Sequence, residues 1–147
     1  MILPAPNENH DLRHCFACGE ENRRGMHLQF ALEPGIATAE IDVDESYVSW
    51  KGVIHGGLLA TMMDEAIGWS VASLGRTALT ARLEVRYLEP VSPPQHLIIR
   101  AEVVERDQRM ARTTAVVELP DGRPVARAKA VMIYADTLPH AVNRPTD

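Results

Sequence analysis

Hydrophobic and polar residues alternate along two short segments near the start of the chain, and this pattern is typical of half-buried β-strands. Every second residue is apolar in residues 27–33 and again in residues 37–43. Pro34 and Gly35 separate the two segments. A turn of this composition between two alternating segments predicts a β-hairpin.

Residues 56–73 follow a different period. At about 100° per residue, their apolar side chains cover about 220° of the helical circumference, which predicts a core helix that is covered on most sides. The remaining stripe is narrow and carries both carboxylates of the segment. Its members are small or polar: Thr61, Asp64, Glu65, Gly68 and Ala72.

The two-residue period returns after Gly75, and it predicts four more strands at residues 79–87, 97–104, 110–119 and 125–134. In the first of these, alternate residues are expected to share one face: Leu79, Ala81, Leu83, Val85 and Tyr87. Asp121-Gly122 predicts a tight hairpin. The short connections predict that these four strands form an antiparallel meander. The resulting fold class is α+β, an antiparallel sheet around one long helix.

Composition limits the partners that we expect. The 147 residues carry a net charge of −5, with 46% hydrophobic and 24% charged residues, so a globular domain without nucleic-acid binding is predicted. We place this domain at residues 25–136, an irregular leader at 1–24 and a flexible tail at 137–147. No apolar run approaches the roughly 18 residues of a membrane span, and residues 1–10 lack a secretory pattern. We therefore expect a cytoplasmic protein without a membrane partner.

A histidine and two glycines, His55-Gly56-Gly57, stand where the helix is predicted to begin. The first amides of a helix lack intrahelical acceptors, so they can stabilise a developing oxyanion. Asp64 follows about 13 Å further along the helix. That separation means that the two features serve different parts of one long ligand, or that two copies of the helix meet. A purely structural alternative is that His55 caps the helix and the glycines only permit a tight entry.

Two neighbouring acids compete for a chemical role. Burying a carboxylate in so apolar a helix is costly unless it serves a purpose, which favours a chemical role for Asp64 or Glu65, and the stripe alone does not decide between them. Glu65 lies at the edge of the same stripe, and its simpler interpretation is a partner for an arginine.

Three segments resemble the hot-dog-fold thioesterases, in particular their PaaI-like branch from phenylacetic acid degradation. They are residues 15–28, beginning with Cys-Phe-Ala-Cys-Gly; His55-Gly56-Gly57 with Asp64-Glu65; and residues 80–91, from Thr-Ala-Arg-Leu-Glu-Val-Arg-Tyr to Pro-Val. The resemblance implies a hot-dog fold with five to six strands. It also implies an enzyme that hydrolyses acyl-thioesters, usually acyl-coenzyme A.

The resemblance further implies roles for single residues. Asp64 matches the catalytic carboxylate, which acts as general base or nucleophile. The glycine amide after His55 polarises the thioester carbonyl, His55 orients it, and Thr80 lies near the attacking water. The stripe residues Glu65, Thr61 and Gly68 are expected to contact substrate. In the family the carboxylate and the His-Gly-Gly loop come from different subunits, so a homodimer is expected, with a dimer of dimers possible.

The chain departs from the family pattern at two places. It has no Asn or Gln at residues 48–50, and Gly68 stands where some relatives carry Ser. These departures favour one alternative, a non-catalytic acyl-coenzyme A binding module. A second alternative is a hot-dog hydratase or dehydratase, whose acid precedes the histidine by about one helical turn. Residues 50–54 contain no acid, which disfavours it.

A pair of cysteines and two histidines cluster in the leader: His10, His14, Cys15 and Cys18. Structural zinc sites usually combine two separated ligand pairs, and no second Cys-x-x-Cys pair exists in the sequence. We therefore predict no metal and no cofactor, with the cysteines packed as reduced thiols.

Overall fold

The structure is a computed structural model that describes residues 12–135. In this range the chain forms one α-helix, three 3-10 helices and six β-strands. Their bounds are Leu12–His14, Glu45–Tyr47 and Trp50–Gly52 for the 3-10 helices, Gly56–Ala72 for α1, and Ala31–Glu33 (β1), Ile36–Val43 (β2), Ala78–Tyr87 (β3), Gln95–Arg106 (β4), Met110–Glu118 (β5) and Pro124–Tyr134 (β6) for the strands. The predicted tail and residues 1–11 of the leader, with His10, lie outside the described residues. Across the described part, no helix has both the length and the apolarity to span a membrane.

The strands of residues 12–135 form one antiparallel sheet in the order β1-β2-β4-β5-β6-β3. The sheet packs against α1 and confirms the predicted α+β architecture. The predicted four-stranded meander is wrong, because β3 pairs with β6 and not with β4. Helix α1 leads from β2 to the far edge of the sheet, and residues 88–94 return to β4. That return covers about 14 Å, three strand spacings, which seven extended residues can span.

Both predicted hairpins are confirmed. Gly35 and Gly122 each adopt a positive φ in the turn, at 76° and 87°. The first strand is shorter than its alternating pattern predicts, because only Ala31–Glu33 pairs with β2. His27 has a φ of 54°, a left-handed conformation that a strand does not accommodate.

Helix α1 buries one broad face against the sheet, as its period predicts. Met62, Met63 and Ile67 are fully buried there. The facing strand β6 presents small side chains, Ala126, Ala128 and Ala130, each at most 5% exposed. Small residues let a bulky helix approach the sheet closely. The predicted polar stripe of the helix remains only half-buried.

A β-bulge divides β3 into two parts with opposite phase. Thr80 pairs with Met132 and Arg82 pairs with Val131, so Ala81 is an extra residue in the ladder. The prediction that Leu79 and Ala81 share the helix-facing side with Leu83 is therefore wrong. Leu79 is 49% exposed, whereas Thr80 shares the inner face with the buried Met132. Bulges commonly re-aim one side chain in this way.

Candidate active site

A tight loop before α1 fixes the position of the histidine. The backbone N–H of His55 donates to the carbonyl of Tyr47 at 2.8 Å, and the N–H of Ile54 donates to Val91 at 2.8 Å. Lys51 and Gly52 reverse the chain with φ values of 57° and 73°. These hydrogen bonds to Tyr47 and Val91 fix the loop, and they place His55 at the start of the helix.

His55 caps the helix that it precedes. Its Nδ1 accepts a hydrogen bond from the N–H of Gly57 at 2.9 Å. This acceptor role leaves Nε2 as the protonated nitrogen of the neutral ring. The N–H of Gly56 has no acceptor within residues 12–135. The structural interpretation of the motif therefore holds for His55 and Gly57, while the Gly56 amide remains available to a ligand.

Tyr87 closes the other side of this helix start. Its hydroxyl donates to the carbonyl of Gly56 at 2.7 Å. A methyl group on Gly56 would lie 3.1 Å from the Tyr87 ring, whereas one on Gly57 would meet only the His55 ring. Tyr87 was not among the site residues predicted from the sequence. The available signal was its inner-face position at the end of β3.

Asp64 and Thr80 form the second part of the candidate site. The Thr80 hydroxyl donates to Oδ1 of Asp64 at 2.7 Å. Asp64 is half-buried, and it has no ion pair within the described residues. A carboxylate that is partly desolvated and accepts one hydrogen bond keeps its other lone pairs available for a proton or an acyl carbon.

The other predicted stripe residues occupy different surroundings. Thr61 donates its hydroxyl to the carbonyl of Gly57 at 2.9 Å. Open space surrounds Gly68, where an added methyl group would meet no atom within 4 Å. Glu65 faces the leader, since its Oε1 accepts hydrogen bonds from the Trp69 indole at 3.1 Å and from the thiol of Cys15 at 3.7 Å. Glu65 is thus not grouped with Asp64.

The leader places its cysteines beside Glu65. The ligand atoms of Cys15, Cys18 and Glu65 all lie within 4.8 Å of one another. Burial, followed by hydrogen bonding and charge repulsion from Glu65, raises the pKa of Cys18 well above its ordinary value. His14 does not join this group and lies 3.6 Å from Glu21 instead. Glu65 lies 47 positions after Cys18 and 50 after Cys15 in the sequence, so no local pattern joins it to the cysteines.

The two halves of the candidate site lie apart on one chain. His55 and the Gly56 amide are at the start of α1, and Asp64 with Thr80 is more than two turns away, about 12 Å along the helix axis. Two depressions of about 410 and 350 Å³ lie on the outer face of the sheet, and none of these four residues lines either one.

The comparisons with known proteins agree on one family. Residues 51–126 match the sequence model of a family described as the thioesterase superfamily. Acyl-coenzyme A thioesterase 13 of Homo sapiens is 26% identical over 83 residues, which are 55% of this chain and 59% of that protein. The chain thus spans about three fifths of that relative's length.

Two solved structures have the same architecture. A hypothetical thioesterase protein from Streptococcus pneumoniae TIGR4, solved with coenzyme A, superposes with a TM-score of 0.69 at 25% identity, over 73% of this chain and 84% of that one. The PaaI protein from the phenylacetic acid degradation operon of E. coli superposes with a TM-score of 0.71 at 17% identity, over 74% and 80%. These matches confirm the resemblance inferred from the sequence.

Proposed function

The chain belongs to the thioesterase superfamily, and on that premise we propose that it hydrolyses an acyl-thioester, with acyl-coenzyme A as substrate. The observation that carries the proposal is the Asp64 carboxylate, which is half-buried, free of any ion pair within residues 12–135 and hydrogen-bonded by Thr80. A binding module gains little from such a group. The coenzyme A in the streptococcal structure and the name of the human relative support the choice of substrate.

Asp64 supplies the reacting carboxylate. As a general base it takes a proton from water, whose oxygen attacks the thioester carbon. As a nucleophile it attacks that carbon itself, and water then hydrolyses the resulting anhydride. In both routes the carbon–sulfur bond breaks, and the thiolate leaves and takes up a proton. The hydrogen bond from Thr80 holds the carboxylate in position.

The Gly56 amide stabilises the charge that develops on the carbonyl oxygen. It lies at the positive end of the helix dipole, and it has no acceptor within the described chain. His55 occupies the neighbouring Gly57 amide and presents Nε2–H outward, where it orients the carbonyl. Tyr87 donates to the carbonyl of Gly56, in the peptide that follows this N–H, and so helps to hold the residue in place.

A homodimer brings these two parts together. Strand β3 is a ten-residue edge strand of the described sheet, and an exposed edge of that length is a template for pairing. Thr80 lies at one end of β3 and Tyr87 at the other, about 20 Å apart. If two copies of β3 pair antiparallel about their middle, the Thr80 end of each copy lies beside the Tyr87 end of the other.

The active site is then composite. Thr80 of one copy then lies one strand spacing, about 4.8 Å, from the strand end that carries Tyr87 of the second copy. Because Thr80 contacts Asp64 and Tyr87 contacts Gly56, this pairing brings Asp64 of one copy to the side of Gly56 and His55 of the second. We place the acyl chain in a groove along the helix beside Thr61 and Gly68, since a methyl group added at Gly68 would meet no atom within 4 Å. A further pairing of dimers is compatible with this arrangement. A cytoplasmic location is part of the proposal, since it would keep the two free cysteines reduced.

Release of free thiol from a panel of acyl-coenzyme A substrates tests the proposed activity. We expect Asp64→Asn to lose about 10²–10⁴ in turnover, because Asn keeps the shape but cannot take a proton. Glu65→Gln serves as the matched control, since it removes the adjacent carboxylate of the same helix. Unchanged thiol release by Asp64→Asn, or a change in acyl unsaturation without thiol release, would contradict the proposal.

A further inference from the structure

Two cysteines of the leader and one acid of α1 lie close together, and none of the three has a role in the proposed hydrolysis. We propose that Cys15, Cys18 and Glu65 form a binding site for a thiophilic divalent cation, with Zn²⁺ as the ion that fits this ligand set. Each residue is half-buried and offers one ligand atom, and all three atoms lie within 4.8 Å of one another. Thiolate and carboxylate ligands in a Cys-x-x-Cys spacing are typical of zinc.

The distances already approach those of a zinc site. The Sγ of Cys15 and Oε1 of Glu65 are 3.7 Å apart. Zinc bonds of about 2.3 Å to sulfur and 2.1 Å to oxygen at a tetrahedral angle place the two ligand atoms about 3.6 Å apart. The other separations among the three ligand atoms are at most 4.8 Å, so binding requires side-chain shifts of about 1 Å, and water would take the fourth position.

The electrostatics of the cluster call for a cation. Glu65 is half-buried and forms no ion pair within residues 12–135, and a carboxylate in such surroundings is costly without a charged partner. The hydrogen bonds that it accepts from Trp69 and Cys15 both end on Oε1. A divalent cation displaces the thiol protons and compensates two of the three negative charges of the resulting ligand set.

The backbone holds both cysteines in place before any ion binds. The N–H of Gly19 donates to the carbonyl of Cys15 at 2.9 Å, and a methyl group on Gly19 would lie within 2.6 Å of Cys15 backbone atoms. Phe16 and Ala17 accept backbone hydrogen bonds from Met26 and Leu28 at 2.8 and 2.9 Å. These bonds fix the backbone that carries both cysteines, and a side chain at position 19 would collide with it.

A second layer of side chains orients the carboxylate. The Trp69 indole N–H donates to Glu65 at 3.1 Å, and the Phe30 ring stacks on Trp69 with centroids 6.0 Å apart. Ligating carboxylates are commonly fixed by such hydrogen bonds. The ion would join the leader to α1 one residue from Asp64. The inference does not depend on the proposed hydrolysis, because Glu65 reacts with no substrate there.

Metal analysis of the purified, reduced full chain tests the inference. We expect about one equivalent of zinc per chain, and a sulfur-to-cobalt charge-transfer band in the near ultraviolet after exchange for Co²⁺. Cys15→Ser and Cys18→Ser should lose the ion and the band. Trp69→Phe should keep the ligands but weaken affinity by about 10–100-fold.

Two carboxylate variants test whether Glu65 is a ligand of the ion. Glu65→Gln should weaken zinc binding more than Trp69→Phe does, whereas Glu20→Gln, an exposed acid of the same leader, should bind as tightly as the wild type. Circular dichroism of each variant and of the chelated wild type controls for folding. Absence of zinc binding in a reduced titration, a Cys15–Cys18 disulfide in place of metal, or full affinity in Glu65→Gln would each overturn the proposal.

Discussion

The Thr80 hydroxyl reaches the Asp64 carboxylate at 2.7 Å only because the bulge at Ala81 turns Thr80 towards the helix. An unbroken alternation would place Thr80 on the outer face, with Arg82 and Glu84. The bulge in β3 thus directly follows Thr80, the residue whose side chain contacts the candidate catalytic acid.

Removing this hydroxyl should slow turnover without unfolding the protein. Thr80→Val keeps the shape but loses a hydrogen bond to a charged group, which is worth about 1.5–3 kcal/mol. We expect kcat/KM to fall about tenfold to a hundredfold, and Thr80→Ser to restore most of it. Steady-state kinetics with circular dichroism as the folding control measure the effect. Equal losses in the Val and Ser variants would show that the hydroxyl is not the cause.

The role of the Gly56 amide can be isolated by proline. Gly56 is the first helical residue, where proline is favoured, and His55 has the extended ψ of 124° that a following proline requires. Gly56→Pro removes the N–H and adds a β-carbon beside Tyr87, and we expect a loss of about 10²–10³ in kcat. Gly56→Ala adds the same β-carbon beside Tyr87 but keeps the donor, so it should retain most turnover. Similar rates for the two variants would contradict the assignment of the Gly56 amide.

The local elements of the fold could be predicted from the sequence. The helix, its half-buried stripe and both glycine turns follow from patterns within a few residues of one another. The bulge could not, because Leu79, Thr80 and Ala81 have sizes that either face tolerates. The position of β3 beside β6 also depends on pairing between distant segments.

The candidate site shows the same division. His55 precedes α1 and Asp64 lies within it, so the separation of the two could be predicted from helix geometry. The convergence of Glu65 with Cys15 and Cys18, and the contact of Tyr87 with Gly56, require tertiary packing that no local period encodes.

Gly68 offers a test of the groove along the helix. In the helix interior, Gly68→Ala should raise the free energy of unfolding by about 0.5–1 kcal/mol, because nothing obstructs the added methyl group. It should also raise KM for bulky acyl substrates if they lie against this position. Gly75→Ala is the contrasting control. Because Gly75 has a φ of 79°, this substitution should lower the free energy of unfolding by about 1–2 kcal/mol. Denaturant titration at fixed protein concentration measures both, and destabilisation by Gly68→Ala would contradict the open space assigned there.

His96 should make stability depend on pH. Its Nδ1 pairs with Asp42 at 2.8 Å and its Nε2 with Glu40 at 3.2 Å, and the bond to Asp42, followed by that to Glu40, raises the pKa of His96. A histidine with a raised pKa in the folded state stabilises the fold fully below its unfolded pKa, about 6.5. That contribution is lost as pH rises through the folded pKa. The Tm difference between wild type and His96→Gln should therefore shrink as pH increases above this range, and a constant difference would exclude the interaction.

The composite site can be tested by complementation between two inactive chains. Asp64→Asn and Gly56→Pro, each carrying a different affinity tag, are co-expressed and the heterodimer is isolated by sequential purification. If Asp64 of one copy acts with Gly56 of the other, one of the two sites in the heterodimer is intact and the second carries both defects. We predict about half of the wild-type turnover per heterodimer, with both mutant homodimers nearly inactive. A heterodimer as inactive as the two homodimers would contradict the account, because each site would then draw both residues from a single chain.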